Sequence, residues 1–344
     1  MNRDELAFAR PDRLQAREPP ERRGLSRDEV RLLVSSPAGE RHSRFFELSG
    51  WLQRGDLLVV NRSATLPAAL PARGPFGEFL VDLSTDFGSR LWLAEPRWAF
   101  DRPGPLPLEA GMRLEVGSVG ARAVGRYPGQ PRLWFLRFEA DPRPAMRELG
   151  RPIRYGYAAG AFPLAEYQTL FSQVPGSAEM PSAARPFTPR VLTALEARGV
   201  AVASVLLHTG VSSLEVMADE VEREELLPEP FEVGEAAVAA IRRTKAAAGR
   251  VIAVGTTVVR ALEAAAGGGE LGPRRGFTRR RLAPGVPVRV VDGLITGFHD
   301  PYASHLALLF ALFGADRVRR AYSAAVEGGY LWHEFGDSHL WLPD

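Results

Sequence analysis

Between Thr65 and Pro144 the chain changes texture, and that change constrains its fold more than any other feature. The runs FLVDL, LWLAEP, MRLEV, ARAVGRY and RLWFLRF recur at short spacing between Gly/Pro turns, without a helical period. Short strands joined by tight connections have this pattern, so a small β-barrel or sandwich is expected. Ahead of it, DLLVVN (Asp56–Asn61) reads as a buried strand ending in a polar loop at Arg62-Ser63.

From Tyr167 onward the texture is α/β. Thr188-Pro189 supplies an N-cap and first helical residue, VLTALEAR follows, and Gly199 is the stop. Next come a strand over Val200–Leu207, a helix across Glu235–Ala248 closed by Gly249, a strand over Arg250–Val254, and a helix from about Thr257. A strand at Val288–Gly293 and two helices, SHLALLFALF and DRVRRAYSAAVE, complete an alternating strand–helix series. A chain of 344 residues normally divides into about two domains, which suits a β block set into an α/β chain.

Several chemistries are excluded by what the sequence lacks. With no cysteine there are no thiolate nucleophiles, disulfides, Cys-ligated zinc or iron–sulfur clusters. No two of the six histidines stand at a ligand spacing such as HExxH, so no metal is expected. The string Gly267–Gly272 matches GxGxxG but follows a helix rather than a strand, which removes the dinucleotide reading. No phosphate-binding GxxxxGK[ST] is present. No apolar run approaches the ~20 residues that cross a bilayer, and MNRDELAFARPDR has no apolar leader segment. A cytoplasmic location without a membrane partner is therefore expected. A net charge of +2 confines any nucleic-acid contact to a local patch.

The sharpest local signal is VIAVGTTVVRALE (Val251–Glu263), a buried strand that stops at Gly255-Thr256-Thr257 and turns directly into a helix. Ligands bind beyond the strand ends of open α/β sheets, where a helix N-terminus offers free N–H groups and partial positive charge. Arg260 and Glu263 stand one turn apart and could clamp a carboxylate and a ribose, although an ordinary helix cap with a surface ion pair would use the same residues. His208 in LLHTGVSSLE and His299 in GLITGFHDP sit just past strands, each a candidate general base or a hydrogen-bonded structural residue. Asp337, after Gly336, is a turn residue or a carboxylate in a site. Arg274, Arg275, Arg279, Arg280 and Arg281 gather around Phe277 in a loop, GPRRGFTRRRLAPG, that suits RNA phosphates and one stacked base, or is merely solvated.

Taken together, the ordered segments GDLLVVN, YQTLFSQVPGSAEMPSAARPFT, LLHTGVSSLEV, RVIAVGTTVVRALEAAA, VVDGLITGFHDP, SHLALLFALFG and AYSAAVEGGYLWHEFGDSHL resemble the S-adenosylmethionine:tRNA ribosyltransferase-isomerases of queuosine biosynthesis. The resemblance implies a large, open, barrel-like mixed α/β catalytic domain built from both chain ends (1–64 and 152–344), with a small β-barrel domain (65–151) inserted. It implies transfer and isomerisation of the ribosyl group of S-adenosylmethionine onto 7-aminomethyl-7-deazaguanine at the tRNA wobble position. The products are epoxyqueuosine, adenine and methionine, with S-adenosylmethionine as substrate and no cofactor.

By the same resemblance Asn61, Phe187, Gly210, Gly255, Thr256, Thr257, Arg260, Glu263 and Phe298 bind substrate, and His208, His299 and Asp337 are catalytic. The partners are S-adenosylmethionine and tRNA, and a monomer is expected over an oligomer. The chain departs from the family pattern at Arg62, Ser63, Ala64, Ala69, Pro186 and Gly297, and Asp300 stands where the family has leucine. A divergent relative with another acceptor, or a non-catalytic RNA- or nucleoside-binding protein, is the alternative.

Overall fold

The computed structural model describes residues 1–154, 156–211, 218–223 and 226–343; the part of LLHTGVSSLEV from Ser212 to Val216 lies outside them. The chain opens with a hairpin, β1 (Arg31–Ser36) and β2 (Gly39–Arg44), then β3 (Leu57–Asn61) and short β4 (Ser63–Thr65). Six strands follow: β5 (Ala69–Gly74), β6 (Gly77–Asp86), β7 (Leu91–Arg97), β8 (Arg113–Val116), β9 (Val119–Tyr127) and β10 (Gln130–Phe138). They close into an antiparallel barrel in the order β10-β7-β6-β5-β8-β9. Alternate inward residues, among them Leu70, Val81, Leu83, Trp92, Ala94, Val116 and Leu136, fill it. Closure removes the exposed strand edges that a sandwich would leave.

After α1 (Arg143–Leu149) and β11 (Val174–Ser177), the α/β part runs α2 (Pro189–Arg198), β12 (Ala201–Leu207), β13 (Glu229–Val233), α3 (Glu235–Ala246), β14 (Val251–Val254), α4 (Thr256–Ala266), β15 (Arg274–Thr278), β16 (Gly293–Gly297), α5 (Ser304–Phe313), α6 (Ala315–Glu327) and β17 (Ser338–Trp341). Nine strands form one open mixed sheet, β15-β13-β12-β3-β14-β16-β17-β1-β2. The fold is thus mixed α/β, with a closed barrel beside a large sheet. No described helix is long and apolar enough to cross a membrane.

β3 lies in mid-sheet, parallel to β12 and β14, with Leu57 opposite both Ala201 and Val251. Its side chains alternate between two cores. Leu57 and Val59 face α3, α4 and the C-terminal helices, while Leu58 and Val60 pack with Phe45, Val191 and Leu195. Burial on both faces explains why the strand reads as an unbroken apolar run. α2 begins where Thr188 accepts from the Val191 amide (3.4 Å) and ends at left-handed Gly199 (φ 81°), as its punctuation predicts.

Three expectations about elements need correction. Val288–Asp292 is not a strand, because the amides of Arg289, Val290 and Val291 donate to the Glu263 carboxylate instead of to a neighbouring strand; β16 begins only at Gly293. α3 stops at Ala246, since Ala248 turns left-handed (φ 55°), and at Gly249 a Cβ would fall 2.3 Å from the Gly55 carbonyl oxygen. The arginine-rich segment is not all loop: Arg274–Thr278 form the edge strand β15, paired antiparallel with β13 from Arg274 opposite Val233 to Thr278 opposite Glu229.

Candidate functional site

β3, β12, β14 and β16 run parallel, so their C-terminal ends come together at one sheet end, where α/β sheets hold their ligands. A cleft of about 380 Å³ lies there, within the range of small-molecule sites. β14 forms its floor and stops at Gly255, whose amide donates to the Ile295 carbonyl (2.8 Å). Gly255 adopts φ 97°, a backbone state that costs an L side chain strain, and α4 begins at the next residue. The first-turn amides of α4, with Thr256 and Thr257, therefore lie at the cleft wall.

From β16 and the segment after it come Thr296, Gly297, Phe298, His299, Asp300 and His305; a third wall holds Tyr157, Glu179, Thr209, His333 and Glu334. Phe298 is anchored from behind by Trp332 (4.8 Å between rings) and His339 (5.1 Å). His299 stacks face to face on His305 (4.5 Å, 10°), and its Nε2 pairs with the Thr296 hydroxyl at 3.0 Å. Burial, aided by the nearby histidines, pushes His299 well below the usual imidazole range; burial and the Arg260 charge bring His305 down to about 4. Asp300 binds Nε2 of His333 and also Nε of Arg10 (2.8 Å). Although burial pushes its carboxyl up, these partners hold it below its usual value. His333 occupies left-handed backbone (φ 70°) and stacks on Tyr157 at 4.7 Å.

Of the residues expected to form a site, Gly255, Thr256, Thr257, Arg260, Phe298 and His299 line this cleft together. Arg260 is not a free clamp, because its guanidinium is ion-paired with buried Glu229. Burial outweighs that charge and raises the Glu229 carboxyl.

The other expected residues face elsewhere. Glu263 is almost wholly buried and takes up the three amides at 289–291, so it does not reach a ribose in the cleft. Asn61 bridges strand ends: its Nδ2 donates to the Leu207 carbonyl (2.8 Å), and its Oδ1 accepts from Leu207 and Ser63 amides (3.1 Å each). Phe187 is core, edge-on to Phe45 (5.0 Å) and Phe171 (5.3 Å). Gly210 packs against the barrel, where a Cβ would fall 2.6 Å from Ser84 Oγ.

The remaining two candidates for catalysis are similarly engaged. Asp337 accepts the Arg31 and Leu331 amides, one on each oxygen at 2.8 Å, and joins chain segments rather than facing the cleft. His208 lies outside the cleft, its ring against Gly176 and its Nδ1 2.7 Å from Ser63 Oγ; burial, with the Arg143 and Arg62 charges, lowers it to about 4. Tyr157, Glu179, Asp300, His305, His333 and Glu334 carried no sequence signal of their own. Only the odd residue after His299 could have pointed to one of them.

The arginine segment presents a second feature. Phe277 is 49% exposed and stacks on Phe87 of the barrel at 5.3 Å, while Arg279 lies 6.0 Å over Tyr127. Arg275 projects from the sheet edge, whereas Arg274 donates to the Ala264 carbonyl (3.1 Å), Arg281 to the Glu222 carbonyl, and the Arg280 amide to Thr278 Oγ1 (2.9 Å).

The family described as "Queuosine biosynthesis protein" matches residues 3–341. An S-adenosylmethionine:tRNA ribosyltransferase-isomerase of Synechococcus elongatus is 36% identical, over 95% of this chain and 94% of its own length. The one from Deinococcus radiodurans is 37% identical over 91% of this chain and 89% of its own. The crystal structure of the S-adenosylmethionine tRNA ribosyltransferase of Thermotoga maritima superposes with a TM-score of 0.55 at 28% identity, covering 98% of this chain and 100% of that one.

Proposed function

This chain belongs to the queuosine biosynthesis protein family, and from that premise we propose that its cleft receives S-adenosylmethionine and delivers the ribosyl group to the wobble base of a tRNA. It is an enzyme, a transferase and isomerase of tRNA modification. The reaction moves and isomerises the ribosyl group onto 7-aminomethyl-7-deazaguanine, giving epoxyqueuosine and releasing adenine and methionine. S-adenosylmethionine is the substrate, and no resident cofactor is required. A sulfonium acidifies the adjacent C–H, so a side-chain base suffices to start the rearrangement.

The observation that carries this reading is the turn from β14 into α4. Its amides and the hydroxyls of Thr256 and Thr257 open on the cleft, which suits the methionine carboxylate and ribose hydroxyls. Glu179 and Glu334 line the same cleft and suit the ammonium and sulfonium charges. The test is incubation with S-adenosylmethionine, with and without tRNA carrying the 7-aminomethyl base. Adenine should appear only with the tRNA. Absence of both calorimetric binding of S-adenosylmethionine and adenine release would remove the proposal.

For the tRNA, the exposed Arg275 and Arg279 around Phe277 are proposed to meet backbone phosphates. Replacing both with alanine should weaken tRNA binding and reduce the log–log salt slope by roughly 0.7 to 0.9 for each phosphate no longer neutralised. An unchanged slope would leave this edge as solvated surface.

A further inference from the structure

We propose that His333 is the base that takes the proton in this reaction and that Asp300 is its positioning residue. The inference rests on the reading of the cleft given above and deepens it by naming the proton acceptor.

Four histidines lie in or beside the cleft region, and three are unsuited to the task. His299 is committed to Thr296 through Nε2 and covered on one face by His305. Burial disfavours the protonated ring in both. His208 sits outside the cleft, against Gly176. His333 differs in three respects. Its Nε2 engages a carboxylate, Asp300, which is itself fixed from the other side by Arg10. Among the described residues no partner engages its Nδ1. Its backbone is left-handed at φ 70°, a state that a non-glycine residue rarely adopts and that concentrates at functional sites.

A carboxylate on one ring nitrogen fixes the tautomer: Nε2 carries the hydrogen and donates it to Asp300, and Nδ1 keeps a lone pair for a proton. Stacking on Tyr157 holds the ring plane. In the step, the C–H bond next to the sulfonium breaks, its proton passes to Nδ1, and the electron pair stays on the carbon beside the positive sulfur. The imidazolium formed is then stabilised by the Asp300 carboxylate, as in other carboxylate–histidine pairs.

The experiment compares the wild type with His333→Gln, His333→Gly and His299→Gln, using S-adenosylmethionine deuterated at the ribose carbon beside sulfur together with precursor tRNA. Binding is followed by calorimetry, loss of deuterium to solvent by mass spectrometry, and adenine release by chromatography. In His333→Gln, binding should stay within about threefold while washout and adenine release fall about 10²- to 10⁴-fold, the usual contribution of a positioned base. His299→Gln should lose far less. Added imidazole should restore turnover to His333→Gly, which a merely structural role would not allow. Wild-type rates in His333→Gln, or washout that persists while adenine release is lost, would overturn the assignment. A wild type that neither binds S-adenosylmethionine nor releases adenine defeats the functional reading instead.

Discussion

Replacing Arg260 by alanine is expected to destabilise the protein by about 3 to 5 kcal/mol, the range seen when one partner of a buried ion pair is removed. Its partner Glu229 has only 3% of its side chain exposed and Arg260 has 11%, so the variant leaves a carboxylate stranded beneath the cleft. The effect depends on pH in a defined direction. Burial already raises the Glu229 carboxyl, and Arg260 is the charge opposing that rise. A carboxyl whose folded value exceeds its unfolded one costs stability as pH rises through the folded value. Without Arg260 the value rises further, so the penalty should shrink as pH falls from neutrality toward the ordinary carboxylate range. Urea unfolding of wild type, Arg260→Ala and Arg260→Ala/Glu229→Gln would measure it. A loss under about 1 kcal/mol for the single variant, or no relief in the double one, would contradict the buried pair.

Glu263→Ala should cost at least about 3 kcal/mol, because three backbone donors lose a charged acceptor at roughly 1 to 3 kcal/mol each. The segment at 289–291, held to α4 by that carboxylate, should become the first part of the molecule to exchange its amide hydrogens. Affinity for S-adenosylmethionine should change by less than about threefold at a temperature where the variant is folded. A tenfold loss of affinity with unchanged stability would return Glu263 to the ligand.

These two residues also show where the sequence was legible. VIAVGTTVVRALE announces a strand, a turn and a helix because burial on both faces and a glycine at φ 97° leave marks in residue type. The barrel strands announced themselves as short runs recurring between Gly/Pro turns, and α2 through Thr188 and Gly199. A residue's type, however, does not reveal which way it faces. Glu263, Asn61 and Asp337 are polar and conspicuous, yet each spends its side chain on backbone groups that pairing leaves over. β1, β13 and β17 went unread because short strands owe their form to neighbours far along the chain. The wall bearing Tyr157, Glu179 and His333 comes from irregular segments, where no period exists to betray a common site.

The sheet order has a consequence for how the molecule is made. β3 is mid-sheet between β12 and β14, yet it leaves the ribosome some 140 residues before the first residue of β12, as the positions of Leu57 and Ala201 show. Throughout that interval the barrel strands, each paired with near neighbours, can close, while LLVVN, apolar from Leu57 to Val60, has no native parallel partner. Such a strand must wait through the most aggregation-prone stage of synthesis. The early hairpin of β1 and β2 cannot shelter it, since β14, β16 and β17 separate the two in the finished sheet.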